Sequence, residues 1–442
     1  MEFRARRLPR QPGPAGWNRL MPEQAPARAL EGAATADVAV IGAGFAGLSA
    51  ARRLLQLDPG LRVAVLEAGR VAEGPAGRNS GFMIDLPHDL ASDSYAGQRA
   101  EADRTATALN RRAIRFAAEA VEEYGLSREA YDPAGKVNAA ATEAGDRLNR
   151  AYARHLAGLN EPHRMLDAAE MAELTGTPFY VSGLYTPGTV MLQPAAYIRG
   201  LAAGVGALAD FYEGSPATRI AREGDTWRLE TPGGSVSAAR VILAANGHAE
   251  SFGFFARRLL HVFTYASMTE PLPEGALGGE PRWGATPADP MGTTIRRIRG
   301  TGGDRIVVRS RFTCDPSMEV GERAMASAAR LHDRRFAERF PSLAGVAMAY
   351  RWAGHLCLSW NGVPAHGEIA PGIWSACCQN GLGTTKGTAA GISAAEMALG
   401  VESDTTRAMA AMDPPRHLPP EPLARIGANA TLRWREWRAG RE

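Results

Sequence analysis

Short apolar runs alternate with longer amphipathic stretches along the chain, and the two periods predict strands and helices in turn. Four runs are apolar enough for central parallel strands covered on both faces, at 37–41, 62–66, 240–245 and 373–378. Runs between Gly and Pro turns predict antiparallel strands at 262–270, 292–299, 305–311 and 350–359. Helices are predicted at 101–123, 142–159, 195–208 and 321–340, and from near 382 to about 399. The predicted fold class is α/β, with a second α+β domain on a mixed, largely antiparallel sheet.

The first strand runs directly into a glycine-rich turn that has the spacing of a dinucleotide site. Gly42 permits the tight turn, Gly44 lets backbone N–H groups approach a pyrophosphate, and Gly47 lets the new helix lie close to the strand. The helix then begins at Phe45 and Ala46, where unpaired N–H groups and the helix dipole favour an anion.

The next strand ends in an acidic residue at the distance that such a site requires. Glu67 lies 67 − 47 = 20 residues after the last glycine and is followed by Ala68. A carboxylate there accepts hydrogen bonds from ribose hydroxyls and repels the 2′-phosphate of NADP. The motif alone leaves FAD and NAD both open.

A second glycine-rich strand-to-helix junction lies near the other end of the chain. Residues 379–389 follow a buried strand and include Gly381, Leu382, Gly383 and Thr384, with Lys386 beside them. An NAD dehydrogenase has no need for this junction, whereas a reduced flavin requires a dipole at the negative N1/C2=O end of its ring. The pair of junctions therefore favours a flavin.

Residues 69–81 form a long loop that follows Glu67. The loop is too rich in glycine for a helix and too polar for a strand. Arg78 offers a fixed cation, Asn79 and Ser80 offer hydrogen bonds, and Gly81 allows a close approach to a cofactor. A solvent loop that happens to carry an Arg is the alternative.

Composition excludes several other classes of protein. The chain has 442 residues, 45% of them hydrophobic, and a net charge of +3, without a basic stripe interleaved with aromatics. No nucleic-acid partner is therefore expected, and no stretch of 18 apolar residues predicts a membrane span. The cysteines Cys314, Cys357, Cys377 and Cys378 suit neither a zinc site nor a disulfide framework. We expect a reduced, cytoplasmic protein without a metal.

Both ends of the chain lack readable chemistry. Residues 1–36 are basic and then rich in Pro and Gly, without the apolar core of a signal peptide. We interpret them as a surface arm anchored by Trp17 and Leu20, with disorder as the alternative. Residues 411–442 form a Pro-rich and then basic tail.

The motifs together resemble those of the FAD-dependent amine and amino-acid oxidoreductases, the group of D-amino-acid oxidase, glycine oxidase and sarcosine oxidase. The similar stretches are 37–51, 77–81, 268–273, 304–312 and 350–364. The gamma-glutamylputrescine oxidoreductase branch looks most similar, and the likeness extends over about 37–399. The resemblance implies oxidation of a C–N bond by hydride transfer to flavin N5, followed by hydrolysis of the imine. An electron acceptor, either oxygen or another molecule, is also implied.

The resemblance also implies a discontinuous Rossmann-like FAD domain and site residues. The division is an arm at 1–36, the FAD domain at 37–95, 190–260 and 350–410, the substrate domain at 96–189 and 261–349, and a tail at 411–442. Ala217 corresponds to a residue whose backbone contacts adenine, and Ala245 and Asn246 fall at a strand end facing the cofactor. Gly354 stands where sarcosine oxidase has the Cys that binds its flavin, so the FAD is expected to be non-covalent.

Three residues are candidates for the chemistry itself. Lys386 lies in the first turn of a helix, where the dipole disfavours a cation, so we expect it to bind an anionic substrate group or the flavin C2=O. Sarcosine oxidases have a Lys one position earlier, so the equivalence is open, and the His common in that loop is absent. His355 and Trp360 flank a strand that faces the flavin, with ordinary core packing as the alternative. The predicted function is FAD-dependent oxidation of an amine or amino acid. The alternatives are a flavin dehydrogenase with a quinone or protein acceptor, and a non-catalytic FAD-binding subunit.

Overall fold

The computed structural model describes residues 1–87, 100–300 and 302–442. The strands are β1 Glu2–Arg4, β2 Gly32–Ile41, β3 Val63–Leu66, β4 Phe82–Met83, β5 Tyr131–Asp132, β6 Lys136–Ala140, β7 Arg164–Leu166, β8 Ser182–Thr186, β9 Val190–Leu192, β10 Asp210–Tyr212, β11 Arg219–Glu223, β12 Thr226–Glu230, β13 Gly234–Leu243, β14 Leu259–Thr269, β15 Trp283–Pro287, β16 Thr294–Gly300, β17 Gly303–Cys314, β18 Met348–Ser359, β19 Ala365–Ala370 and β20 Ile373–Cys377. The helices are α1 Gly16–Arg19, α2 Phe45–Leu57, α3 Ala100–Tyr124, α4 Glu143–Gly158, α5 Ala168–Thr175, α6 Pro194–Gly206, α7 Glu322–Arg339, α8 Thr385–Ala398, α9 Asp404–Ala410 and α10 Leu423–Ala439.

The first sheet has nine strands in the order β1-β11-β12-β13-β2-β3-β10, and β20 pairs with both β13 and β19. Its centre is parallel: β13 pairs with β2, β2 with β3, β3 with β10, and β13 with β20. The four predicted apolar strands all lie here. β2 starts at Gly32 rather than at 37, because its pairing with β13 already begins at Gly32 and Gly234.

Helices α2 and α8 pack directly against each other, although they are far apart in the chain. A Cβ at Gly391 of α8 would lie 2.1 Å from the carbonyl oxygen of Ala46. The two backbones therefore touch, and only glycine fits at this contact. The predicted start of α8 near Leu382 is corrected to Thr385, because residues 379–384 form turns.

The second sheet has eight strands in the order β18-β14-β17-β16-β15-β6-β8-β7 and is antiparallel except where β6 meets β15. Helix α7 packs against β14, β17 and β18. Since β18 pairs with β14 along its whole length, residues 350–359 belong to this sheet, and the domain boundary predicted at 350 is corrected. The rest of the domain division stays a prediction, and residues 88–99 within it lie outside the described residues.

Several short elements of the second domain were not predicted. Strand β6 has the sequence Lys-Val-Asn-Ala-Ala, with polar residues at buried positions, so its hydrophobic pattern is weak. Helix α5 has only eight residues and is held by a capping box at Asp167 and Glu170. Residues 185–194, whose sequence suggests a turn, contain the end of β8 and all of β9.

Both ends of the chain are more ordered than their composition suggests. The arm supplies β1 to the first sheet, and Trp17 is fully buried, so the description as a surface arm is corrected in part. The tail forms α10, which packs against β17, and Glu442 accepts hydrogen bonds from Ala141 N–H (3.0 Å) and Thr142 Oγ1 (2.6 Å). Among the described residues, no helix is long and apolar enough to cross a membrane.

Candidate functional site

One large cavity opens at the carboxyl ends of the parallel strands β2, β3, β13 and β20, where α/β sheets bind ligands. The predicted residues that line it are Gly42, Gly44, Phe45, Ala46, Glu67, Ala68, Asn79, Ser80, Ala217, Ala245, Asn246, His355, Gly381, Leu382, Gly383 and Thr384. Residues from both glycine-rich junctions, widely separated in sequence, therefore face a single space.

The first junction has the geometry that its glycines predict. Gly42 has φ +102°, and a Cβ there would lie 2.8 Å from the carbonyl oxygen of Ala244. Gly47 does not line the cavity; a Cβ on it would lie 1.8 Å from the carbonyl oxygen of Gly42. A Cβ at Gly44 would meet only Ala76 Cβ, at 3.5 Å. The backbone N–H groups at the start of α2 are therefore open to an anion.

Glu67 lies at the end of β3 with its carboxylate held in place. Its Oε2 accepts a hydrogen bond from Ala43 N–H at 2.8 Å, and its Oε1 accepts one from Gly69 N–H at 3.1 Å. Burial raises the pKa of Glu67, against the opposing effect of these two N–H groups. Each oxygen keeps a lone pair for a donor in the cavity.

The second junction is an irregular turn between β20 and α8. Three residues have positive φ: Cys378 (+57°), Asn380 (+49°) and Gly381 (+86°). The turn is fixed by Asn246 Oδ1, which accepts from Cys378 N–H at 3.1 Å, and by Thr384 Oγ1, which donates to the Phe82 carbonyl at 2.7 Å. These bonds position the start of α8 against the end of β13 and the strand after the long loop.

The Arg78 side chain binds backbone carbonyl groups and does not line the cavity. The side chain is buried and donates to the carbonyl oxygens of Glu73 (2.6 Å), Ala353 (3.2 Å) and Gly13. Burial lowers its pKa to about 10. Arg78 thus ties the long loop to the arm and to β18, and the interpretation as a cation offered to the cofactor is corrected.

Gly81 also lies outside the cavity lining. The reason for a glycine here is Arg296, a residue that the sequence analysis did not identify. A Cβ on Gly81 would lie 2.0 Å from Arg296 Nη1. Arg296 is buried and donates to the carbonyl oxygens of Ser80 (3.0 Å), Gly81 (3.0 Å) and Leu192 (2.7 Å). A cation from the second sheet therefore fixes the end of the loop.

The other two chemical candidates lie apart from the described lining of the cavity. Lys386 is half-buried in the first turn of α8, next to the lining residues Thr384 and Gly387, but is not itself one of them. Trp360 follows β18 and is 64% exposed.

Three histidines, His248, His261 and His355, lie together at one wall of the cavity, and His248 and His355 line it. His355 Nε2 lies 3.2 Å from His261 Nδ1, and His261 Nε2 lies 2.7 Å from Glu250 Oε2. Burial and then His261 lower the pKa of His248, to about 4, and burial with its two His neighbours lowers that of His355. Gly247 makes room, since a Cβ there would lie 2.7 Å from His355 Cε1. The two histidines that line the cavity, His248 and His355, are therefore uncharged at pH 7, and sequence reasoning found only His355.

The second sheet contributes residues that sequence reasoning missed. Thr286 of β15, Arg309 of β17 and Met318 also line the cavity. Behind Thr286, buried Lys136 Nζ donates to Thr286 Oγ1 at 3.2 Å and to Asn138 Oδ1. Burial lowers the pKa of Lys136 to about 7. In residues 1–87, 100–300 and 302–442, no group of three or more His, Cys, Asp or Glu residues could hold a metal ion.

A Rossmann-type glycine turn, a carboxylate at the end of the following strand and a second helix start all border the same cavity, and together they define a flavin-dependent oxidoreductase. The chain belongs to the FAD dependent oxidoreductase family, whose model matches residues 37–397. Its cofactor is FAD.

The chain is similar to several curated proteins. It is 26% identical over 419 residues to the probable oxidoreductase OrdL of Rhizobium meliloti, covering 90% of each chain. It is 25% identical over 383 residues to gamma-glutamylputrescine oxidoreductase of Escherichia coli, covering 85% of this chain and 86% of that protein.

Among solved structures, glycine oxidase from Geobacillus kaustophilus superimposes with a TM-score of 0.68 at 20% identity, covering 84% of this chain and 96% of the other. This likeness confirms the predicted fold class.

The residues at the cavity fit FAD. The backbone N–H groups of α2 suit a pyrophosphate, Glu67 retains acceptor capacity for ribose hydroxyls, and a Cβ at Gly42 would clash with Ala244. The second helix start then provides a positive dipole end for the flavin ring.

Proposed function

We propose that the protein oxidises a C–N bond of an amine or amino acid that carries an anionic group. The observation that carries the proposal is the composition of the cavity, where the glycine turns meet a guanidinium, Arg309, from the opposite sheet. Escherichia coli gamma-glutamylputrescine oxidoreductase and Geobacillus kaustophilus glycine oxidase, whose names give amine and amino-acid substrates, support this substrate class.

In this proposal Arg309 orients the substrate and Thr286 supports its polar end. A guanidinium binds a carboxylate with two parallel hydrogen bonds, which fixes the reacting carbon more tightly than a point charge would. Orientation of this kind accounts for a large part of the rate when two groups must meet in one geometry.

The uncharged side chains of His248 and His355 favour the neutral form of the amine. Oxidation needs a nitrogen lone pair, and His355 and His248 carry no charge at neutral pH because burial lowers their pKa values. When bound, FAD supplies the hydride acceptor. The chain's own contribution is to orient the substrate, exclude water and keep the amine unprotonated.

The FAD is proposed to be held without a covalent bond. Gly354 offers no thiol, and burial with the neighbouring Cys378 raises the pKa of Cys357, the cavity's one cysteine among the described residues. A protonated thiol is a poor nucleophile.

The test is anaerobic reduction of the purified yellow protein by a panel of amines and amino acids. We expect bleaching of the flavin band by members that carry a carboxylate, with rate constants that fall for their amide analogues. Failure of every amine to reduce the flavin contradicts the proposal. Peroxide release in air then separates oxygen from another electron acceptor.

Lys386 remains a proposed contact of the substrate's anionic group or of the flavin C2=O. We expect Lys386→Ala to lose turnover while keeping its FAD. An unchanged rate constant of anaerobic flavin reduction in this variant removes Lys386 from the mechanism.

A further inference from the structure

The N-terminal arm crosses the mouth of the cofactor cavity, although it precedes the part of the chain that the family model matches. Six of its first eleven residues line the cavity: Ala5, Arg7, Leu8, Pro9, Arg10 and Gln11. The match begins only at residue 37. This part of the cavity lining therefore lies outside the segment that the family model matches.

The segment that crosses the mouth, residues 5–13, is anchored at both ends. On one side β1 pairs antiparallel with β11, and Ala5 N–H donates to the Thr218 carbonyl at 2.8 Å, next to cavity-lining Ala217. On the other side Gly13 O accepts from the buried guanidinium of Arg78. A chain held at two points across a cleft has little freedom to move away.

The second anchor continues into the core. Trp17 is fully buried and donates from Nε1 to the Asn79 carbonyl at 2.9 Å, while Gln193 Nε2 donates to the Trp17 carbonyl at 3.0 Å. Its ring meets Trp352 edge to face, with centroids 6.2 Å apart. The arm is thus tied to the loop that runs beside the cavity.

Two arginines of residues 5–13 reach across the mouth to the other domain. Arg7 Nη1 donates to the Pro316 carbonyl at 2.8 Å, and Arg10 Nη1 pairs with Glu319 Oε1 at 3.3 Å. Met318, between these partners, lines the cavity and has φ +60°. The arm is therefore bonded to residues on both sides of cavity-lining Met318, within the segment 316–319.

The positive charge of this segment is complementary to the negative charge of the cofactor. FAD carries two phosphate charges, and Arg7 and Arg10 are both exposed cations at the cavity, where they attract an anion. We propose that the cavity-lining residues of this segment form part of the FAD site and that Arg7 and Arg10 retain the bound cofactor. Because FAD binding is the readout, the proposal does not depend on which substrate is oxidised.

The first test measures the rate at which the holoprotein releases FAD after dilution in the absence of substrate. The fluorescence of free FAD reports the release. The double variant Arg7→Ala/Arg10→Ala is expected to release FAD about tenfold faster than wild type, as loss of one or two charge-assisted contacts predicts. Arg6→Ala is the matched control, because Arg6 lies on the same segment outside the cavity lining. Equal release from the double variant and the control overturns the proposal.

A second test uses only wild-type protein, so that loss of FAD through misfolding of a variant cannot be mistaken for loss of the arginine contacts. Trypsin cleaves after arginine, and FAD is expected to slow cleavage after Arg7 and Arg10 at least fivefold relative to FAD-stripped protein. Cleavage after exposed Arg416 provides the internal reference. Equal slowing at all three positions, or none, contradicts retention by the arm.

Discussion

The two ends of the cofactor cavity are built from different parts of the amino acid. At the dinucleotide end the working groups are backbone N–H groups, and the side chains are mostly absent, as at Gly42 and Gly44. At the end that we propose to face the substrate, where the second sheet borders the cavity, they are side chains, namely Thr286, Arg309 and His355. The first end depends on the absence of side chains at its glycines. The second depends on which side chains the strand registers bring together.

This difference predicts different responses to substitution. A glycine in a close backbone contact cannot be replaced without moving the backbone, so damage there extends to folding and cofactor binding together. A polar side chain at the other end can be removed with the fold intact, so its loss is seen in turnover. Four predictions follow this division, from the largest expected effect to the smallest.

Gly47→Ala is expected to lower the free energy of unfolding by roughly 3 kcal/mol or more, because its Cβ would lie 1.8 Å from the Gly42 carbonyl oxygen. The purified variant should contain little FAD. Urea unfolding and the ratio of flavin to protein absorbance measure both effects.

Gly44→Ala is the matched control for the glycine contact. Its Cβ would meet only Ala76 Cβ, at an ordinary 3.5 Å, so stability should change by less than about 1 kcal/mol while FAD binding weakens. If Gly47→Ala were as stable as wild type, the close backbone contact would not be the reason for a glycine at this position.

The dinucleotide end was predictable for the same reason. Glycine spacing specifies a local backbone path, and the paths of β2 to α2 and of β20 to α8 each lie within one stretch of sequence. The substrate-facing end was not predictable, since Arg309 reaches the cavity only through its pairing with Ala266 and Thr294 on neighbouring strands. Likewise Arg78 was misread, because its carbonyl partners come from the arm and from β18.

Arg309→Met is expected to reduce kcat/KM for carboxylate-bearing amines about 100-fold, equivalent to about 2.7 kcal/mol. The bound FAD and its spectrum should stay unchanged, because the side chain belongs to the opposite end. Steady-state kinetics with an amine and its amide analogue measure the effect, and Arg299→Met, at a partly exposed site on β16, is the control. An equal loss for both substrates contradicts a role in binding the carboxylate.

Lys136→Met tests the buried support of Thr286 through pH. Burial lowers the folded-state pKa of Lys136 from 10.5 to about 7, so the unfolded chain binds the proton more tightly. The resulting destabilisation is complete below pH 7 and disappears as pH rises toward 10.5. We expect the variant's gain in unfolding free energy to be larger at pH 6 than at pH 10, falling by roughly 1.4 kcal/mol for each pH unit between the two pKa values. Urea unfolding at the two pH values measures it, and an equal gain at both contradicts a buried amine.

Trp360→Ala should have the smallest effect, although a tryptophan beside a flavin-facing strand is an attractive candidate for a substrate pocket. The side chain is 64% exposed and lies outside the described lining of the cavity, so its removal forfeits little buried surface. We expect stability to change by less than about 0.5 kcal/mol and KM by less than about twofold. His355→Gln provides the contrast, because His355 lies on β18 and lines the cavity. We expect this variant to have an altered pH profile of flavin reduction. A large rise in KM for Trp360→Ala would mean that the substrate-facing end extends beyond β18, and that its side chains reach further than the strand registers indicate.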